Sequence, residues 1–565
     1  MKIKYVSFIF ALNISLYAID YIYFDLDPIE NNQFILNSYN TASLDTASFS
    51  SIIFNQNHHL PYGTFIFKDM KEIDLPDTSQ VKTQFIHKKG DYRFRDLVLA
   101  LSKNTKNNIN YRLVAHNKSF TPLSIYSLNG KNYLQNFVFD LFTKSDNYFF
   151  STSLAFHKEN PFIPISYNFN SLNEGEFNTR ESESMLWGFE YVKLFNDKFS
   201  IKYKNSNQIS SLLNKFNISE VNNSEQWRSF ENMNFTIWNI VNSSYTFSKN
   251  INFNFDFTSR NEFSSYENHL SNFNLDKLEY EDKKSLYKLG LETSSFYIGF
   301  DFNFFDYKDD NFYYSGNNLK PFFSVKILDK KNLYLKFNHH SDDISLNFPY
   351  DSIYQDSSFE IPRYLMTKSE VEFVAGYDSF KIKFNSSYIS SENIYSGTNI
   401  YNDYLYSNLS AIFNSNYMKF ILGFSSYDKF NDKDRGTDLP FLKYYLNYNL
   451  SYKIPFKGRE YSIILNMAGR RSMFSNKAFN LNTLPIINEN SFDATDSMHF
   501  IDFSGTLKFD NFQISYHNIT NNGKRFVFES GLSDLGESFT LPKYSILGSD
   551  LYIFHYLKVS WTFID

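Results

Sequence analysis

The histidines and acidic residues are the first candidates for chemistry in this chain. The run from His339 to Asp343 contains two histidines and two aspartates, which are metal-binding types, and His58-His59 is a second histidine pair. Adjacent residues of an extended chain point to opposite faces, and no further ligand follows at a spacing known for zinc. We therefore expect both runs to be solvated loops without a metal ion.

Two other groups of residues could serve calcium binding or hydrolysis. The segment 432–438 reads Asp-Lys-Asp-Arg-Gly-Thr-Asp, but its acidic positions do not match a calcium loop and no bidentate Glu follows. A hydrolase would need a Ser or Asp beside a lumen-side His, and His517 and His555 qualify only by residue type. The sequence therefore predicts neither an enzyme nor a cofactor.

Lysines at alternating positions are the stronger signal. If they line a pore, they favour the passage of anions; alternatively, they pair with acidic residues on neighbouring strands. The predicted pore-lining residues are Lys202, Lys204, Lys336, Lys381, Lys383 and Lys508.

The composition limits the elements that can position these lysines. One residue in five is aromatic, yet the mean hydropathy is only -0.41. So many rings exclude a disordered chain. The absence of cysteine excludes disulfides, and a net charge of -6 gives no support for nucleic-acid binding.

Alternation with period two dominates the chain from about residue 80 onward. In Ile251–Phe257 every odd position is apolar and every even position is polar, and several similar runs follow. A tilted strand needs about 9 to 11 residues to cross a bilayer, and these runs approach that length. The outward face can therefore be apolar while the overall hydropathy stays low.

Short and long connections alternate along the same region. Asn196-Asp197-Lys198, Asp378-Ser379 and Asp510-Asn511 are examples of the short turns. Ten short turns, an opening strand at 81–88 and a closing strand at 551–563 predict about 22 strands, within a range of 16 to 24. The fold class is thus all-β, an antiparallel up-and-down transmembrane barrel over residues 81–565. The predicted long loops include 158–182, 206–231, 261–283, 340–365, 471–496 and 520–550.

The N-terminal residues differ from the barrel region. Residues 1–18 have the basic start, short apolar run and small final residue of a signal peptide. Residues 19–80 lack barrel alternation. They are either a periplasmic extension or a small insert that narrows the lumen.

The C-terminal strand carries a family resemblance. Leu557, Val559, Trp561 and Phe563 alternate as in the closing strand of outer-membrane barrels, although Ile564 and Asp565 follow the last aromatic residue. Together with the hairpin 512–521, this strand resembles the barrels of TonB-dependent receptors and the porins related to them. That resemblance implies 22 strands. It also implies a large plug domain, for which residues 19–80 are too short, so a plugless relative is expected.

The predicted location is the outer membrane of a Gram-negative-type bacterium. The main hypothesis is a porin-like channel that passes small polar solutes through a polar lumen. One alternative is a receptor-like active transporter without its own full plug, and another is a surface scaffold or adhesin. The expected partners are outer-membrane lipid, the barrel-assembly machinery, small polar solutes and a periplasmic or lipoprotein partner, but no nucleic acid.

Overall fold

The computed structural model gives the positions of the barrel strands and most of the short turns. The described residues are 35–36, 42–43, 81–91, 94–105, 109–120, 132–145, 147–160, 179–196, 198–219, 225–248, 250–268, 277–309, 313–330, 333–345, 363–377, 379–393, 403–431, 442–456, 461–474, 498–521, 526–529, 538–541 and 553–564. The predicted signal peptide, nearly all of segment 19–80, His58-His59 and segment 432–438 lie outside them.

Twenty-two antiparallel strands form one closed barrel, which confirms the predicted fold class and strand number. The strands are β1 Val81–Gly90, β2 Arg95–Asn104, β3 Ile109–Phe120, β4 Asn132–Lys144, β5 Tyr148–Asn160, β6 Thr179–Asn196, β7 Phe199–Ser219, β8 Glu225–Ser248, β9 Ile251–Asn268, β10 Lys277–Thr293, β11 Phe296–Asp309, β12 Tyr313–Lys330, β13 Leu333–Ser345, β14 Arg363–Tyr377, β15 Phe380–Asn393, β16 Asp403–Asn414, β17 Met418–Asn431, β18 Leu442–Pro455, β19 Tyr461–Phe474, β20 Met498–Phe509, β21 Phe512–Asn521 and β22 Ile553–Ile564.

The last strand joins the first. β22 pairs with β21 on one side and with β1 on the other, where Trp561 lies opposite Phe85. Leu557, Trp561 and Phe563 are exposed on the outer face, and Val559 shares that face with them. A closed barrel leaves no unpaired strand edge, so its backbone polar groups are satisfied within the hydrocarbon.

The outer surface is an apolar band. On β2, Leu97 and Leu99 are 42% and 47% exposed, whereas the intervening Val98 is 1% exposed. Aromatic side chains such as Phe195, Phe247 and Tyr377 are exposed beside the short turns, where rings favour a membrane interface. Among the described residues, no α-helix is long and apolar enough to cross a membrane.

The short turns lie where the alternation ends. At the turn between β20 and β21, Asp510 has a φ of 47°, the left-handed conformation that tight hairpin turns require. Most of the predicted long connections are shorter than expected, and the predicted loop 206–231 is wrong because β7 and β8 continue through most of it. These strands have 21 and 24 residues and exceed the length needed to cross a bilayer.

Polar side chains stabilise this long strand region. Asn205 donates to Asn239 at 2.9 Å, and Asn207 donates to Asn205 at 2.8 Å. Polarity in segment 206–231 is therefore compatible with strand pairing. A separate two-stranded hairpin pairs Phe526–Glu529 with Ser538–Leu541 inside the predicted loop 520–550.

Candidate functional site

The inner wall of the barrel has a buried part formed by β1 to β6. Seven apolar residues that face the lumen here are no more than 3% exposed: Ile86, Val98, Ala100, Val114, Val138, Ala155 and Leu186. Even the small residues Ala155 and Ser151, on β5, have no solvent access. These inward side chains are therefore shielded from solvent.

Charged side chains alternate with the apolar residues of this wall, and their partners lie on neighbouring strands. Arg112 on β3 donates through Nε to Asp140 on β4 at 2.8 Å, and the Ser153 hydroxyl donates to the same carboxylate. Next to them, Asp96 contacts Lys88 at 3.4 Å and His116 at 2.8 Å. Because these charges are buried, each depends strongly on its partner.

Two of the predicted pore-lining lysines bind one buried carboxylate. Lys202 and Lys204 on β7 lie 3.1 and 3.2 Å from the two oxygens of Glu190 on β6. Glu190 has no exposed surface. The pairing alternative therefore describes the geometry of these two lysines.

The other four predicted lysines also lie on the inward face of their strands. Lys383 is 45% exposed and lies 2.8 Å from Glu372, and Lys381 is exposed near the adjoining short turn. Lys508 on β20 lies opposite Gln513, and Lys336 lines a cavity described below. Selection of anions by these lysines stays a prediction.

A cavity of about 290 Å³ lies against the inner wall of β10 to β13. At its floor Gly290 and Gly299 are directly paired, and a Cβ on either would overlap the Tyr297 or the Phe322 ring. The two glycines thus let these rings pack against the wall, with their centroids 4.9 Å apart.

Lys288 covers this aromatic floor. Its Nζ lies 3.9 Å from the centroid of the Phe322 ring and 3.8 Å from Asp301 Oδ1. A cation over a ring face is attracted by the ring quadrupole, and the carboxylate adds a second attraction. The ammonium group is therefore held at a defined position beside the cavity. The cavity lining includes Lys288, Glu292, Tyr297, Phe322, Ser324, Lys326, Lys336, Asn338 and His340.

The His339–Asp343 run lies within β13, so the expected loop is wrong. The His339 ring stacks on Phe323 and contacts Ser369 at 2.9 Å, and atoms of both His339 and His340 line the cavity. The alternation of the strand separates the two rings. In the described part of the chain, no three His, Asp or Glu side chains are placed to share a metal ion.

The two hydrolase candidates lie on opposite faces of the barrel. His517 faces the lumen, contacts Asp502 at 2.9 Å and stacks on Tyr556 with a centroid distance of 4.4 Å. His555 lies outward and contacts the Tyr516 hydroxyl at 2.8 Å. His555 is therefore not a lumen-side residue, and the packing of His517 fits a structural role in the wall.

Sequence reasoning did not find Lys288 or Lys326 as lumen residues. The sequence did contain a signal, because each lysine directly follows a residue that points outward. Tyr287 precedes Lys288 and Val325 precedes Lys326, and both are exposed on the outer face. Alternation therefore places the two lysines on the inward face. The Arg112–Asp140 pair had no such signal, since its members are 28 residues apart.

Comparison with known proteins relates this barrel to solved structures. No protein-family model and no curated protein match the sequence. The fold is similar to the ferric yersiniabactin uptake receptor FyuA from Yersinia pestis, with 9% identity, a TM-score of 0.64, and coverage of 87% of this chain and 81% of that one.

Two further solved structures agree. The ferric preacinetobactin receptor BauA from Acinetobacter baumannii shares 9% identity, with a TM-score of 0.61 over 86% of this chain and 80% of that chain. The FrpB iron transporter from Neisseria meningitidis shares 10% identity, with a TM-score of 0.60 over 86% and 82%.

These similarities confirm the predicted resemblance to receptor barrels at the level of the fold. The closed 22-stranded barrel with its apolar outer band is the architecture of an outer-membrane protein, in agreement with the predicted location.

Proposed function

We propose that this chain is a gated outer-membrane transporter, which takes up a small solute through its lumen and is neither a permanently open porin nor an enzyme. The exclusion of solvent from the inner wall of β1 to β6 carries this proposal. Lumen-facing side chains there are buried, whereas on β15 Lys381 and Lys383 are exposed near the short turn and Ser387, on the same face, is buried. We infer that the lumen is filled along the buried wall and that solute moves past the exposed lysines of β15.

The number of strands in the barrel also supports a filled lumen. Barrels of 16 to 18 strands leave a water channel, whereas 22-stranded transporters have a plugged lumen. The names of these solved structures describe an uptake receptor, a second receptor and a transporter. By analogy, we expect uptake by this chain to need an energy source and a periplasmic partner.

Single cysteines offer a direct test, because the natural chain has none. Ser151 and Lys383 are each the fourth residue of a strand that follows a short turn, so their depths are matched. In the intact protein, we expect Lys383→Cys to react with a membrane-impermeant maleimide at least about ten-fold faster than Ser151→Cys, whose side chain must wait for local opening.

Labelling of the denatured variants serves as the control and must show equal intrinsic reactivity. Equal rates in the folded variants would mean that both walls meet open water. That result would contradict the gated lumen and favour the porin-like alternative.

Measurements of conductance distinguish the gated transporter from the open porin by an independent route. Full-length protein in a planar bilayer should give no steady stepwise current, because a filled lumen does not conduct continuously. Uptake by cells should stop when the proton-motive force is collapsed. Steady ohmic steps, with uptake that persists after this collapse, would contradict the proposal.

A further inference from the structure

Two basic side chains lie directly opposite each other on the outer face of the barrel. Lys89 on β1 is paired with Arg95 on β2, and both side chains are exposed. They share the outward face with Leu97, whereas the buried Lys88 and Asp96 beside them in the chain face the lumen. Like charges directly opposite on paired strands destabilise a sheet. An anion beside the two cations would relieve this repulsion.

The protein does not supply that anion. Within the described residues, the side chains of Lys89 and Arg95 take part in no ion pair and no hydrogen bond. Asp91 follows β1 directly, but its carboxylate accepts a hydrogen bond from the backbone N–H of His555 at 2.9 Å. The positive charge of the pair is therefore open to a partner from outside the chain.

Acidic residues are also missing from the outer face around this pair. In the described parts of β21, β22, β1, β2, β3 and β4, the outward positions carry no Asp or Glu. Elsewhere on the outer face, Lys158 binds Glu183, and Lys283 lies 2.6 Å from Glu281. The chain as a whole has a net charge of -6, so a basic outer sector without carboxylates runs against its overall composition.

The pair lies at one edge of the apolar band. Lys89 is the ninth residue of β1, which starts at the end of the barrel with the short turns, and Arg95 is the first residue of β2. A tilted strand crosses the hydrocarbon in about 9 to 11 residues, so both side chains reach the headgroup region. Because short turns lie on the periplasmic side of outer-membrane barrels, this edge belongs to the outer leaflet.

Exposed leucines lie below the two cations. Leu97 and Leu99 follow Arg95 on the outer face of β2, and Leu557 on β22 lies directly opposite Lys89. An acyl chain can pack along these side chains while a negative headgroup contacts the cations. The surface therefore suits an amphipathic anion better than a free inorganic one.

We propose that Lys89 and Arg95 bind the phosphate headgroup of an anionic lipid in the outer leaflet. The guanidinium group of Arg95 can donate two parallel hydrogen bonds to a phosphate, and the Lys89 ammonium adds a second charge-assisted hydrogen bond donor. Basic sites on membrane proteins bind anionic headgroups by the same chemistry. This inference concerns the outer surface and does not depend on the proposed transport function.

Native mass spectrometry of the full-length protein in a non-ionic detergent tests this site. The probes are phosphatidic acid, phosphatidylcholine with the same acyl chains, and inorganic phosphate. We expect the wild type to bind phosphatidic acid in preference to phosphatidylcholine and not to bind inorganic phosphate. The double variant Lys89→Gln with Arg95→Gln should bind phosphatidic acid about ten-fold more weakly or worse.

A second double variant removes the same amount of charge from other parts of the outer face. Lys103→Gln with Lys283→Gln removes one outward lysine at the opposite end of β2 and one whose partner is Glu281. This control should retain wild-type affinity for phosphatidic acid. Equal weakening in the two double variants would show that net charge alone attracts the lipid and would overturn the proposal.

Thermal stability gives a second readout that two purely structural side chains would not produce. Without lipid, the Lys89 and Arg95 double variant should unfold at or above the wild-type temperature, because it lacks the like-charge contact. Phosphatidic acid should raise the unfolding temperature of the wild type and the control but not of this variant. Equal binding of the two lipids to the wild type, or no binding of phosphatidic acid, would contradict the site. Binding of inorganic phosphate that is lost in this variant would overturn its assignment to a lipid.

Discussion

The variant Asp140→Ala is expected to lose about 3 to 5 kcal/mol of unfolding free energy, because it leaves the Arg112 guanidinium buried without this carboxylate. Arg112 is 2% exposed and Asp140 is fully buried. Asp140 also accepts a hydrogen bond from Ser153, so one substitution disturbs three strands. Denaturant titration of the protein in lipid vesicles, followed by tryptophan fluorescence, measures the change.

An exposed ion pair supplies the control for this prediction. Lys283 and Glu281 lie 2.6 Å apart, with 47% and 30% of their side chains exposed. Glu281→Ala should therefore cost less than about 1 kcal/mol. The double variant Arg112→Leu with Asp140→Leu should recover most of the loss, since apolar groups can replace a buried pair. Similar losses of unfolding free energy for Asp140→Ala and Glu281→Ala would show that burial of the ion pair does not determine the loss.

The strand number and the facing of side chains could be predicted because both follow from local pattern. Alternation assigns Leu507 outward and Lys508 inward without knowledge of any other strand. Asp510-Asn511 marks a turn by residue type, and the structure places a positive φ there. These features need only a few neighbouring residues.

The buried inner wall could not be predicted in this way. In the run Leu97-Val98-Leu99-Ala100-Leu101 both parities are apolar, so the alternation disappears. The reason is that Val98 and Ala100 are buried on the lumen side, while the leucines occupy the outer face. A rule that assigns polar residues to the lumen fails where the lumen wall is itself covered.

The carboxylate partners of the lysines could be identified only from the strand register in the structure. Counted from the pair Asn196–Phe199 at the turn, Glu190 would lie opposite Asn205. A register shift between Leu194 and Asn196 moves the pairing by one residue, so Glu190 lies opposite Lys204. A bulge of this kind has no reliable mark in the sequence, and it decides whether the lysine finds its carboxylate.

The assignment of outward and inward faces to each strand leads to a second prediction with a large effect on stability. Phe384 is outward-facing, 38% exposed and the fifth residue of β15, which places it near the middle of a span of about 9 to 11 residues. Phe384→Arg should therefore cost about 2 to 4 kcal/mol, because it puts a charge on the lipid face near the bilayer midplane. The free energy of unfolding in lipid vesicles is the quantity to measure.

The neighbouring residue provides a control on the same strand and at nearly the same depth. Asn385 faces the lumen and donates a hydrogen bond to Glu370, and it lies opposite Glu372. Arginine at this position meets carboxylates and water instead of lipid, so Asn385→Arg should change stability by less than about 1 kcal/mol. If Asn385→Arg were as costly as Phe384→Arg, a water-accessible lumen face at β15 would be ruled out. The transport path proposed along this wall would then have no polar surface to follow.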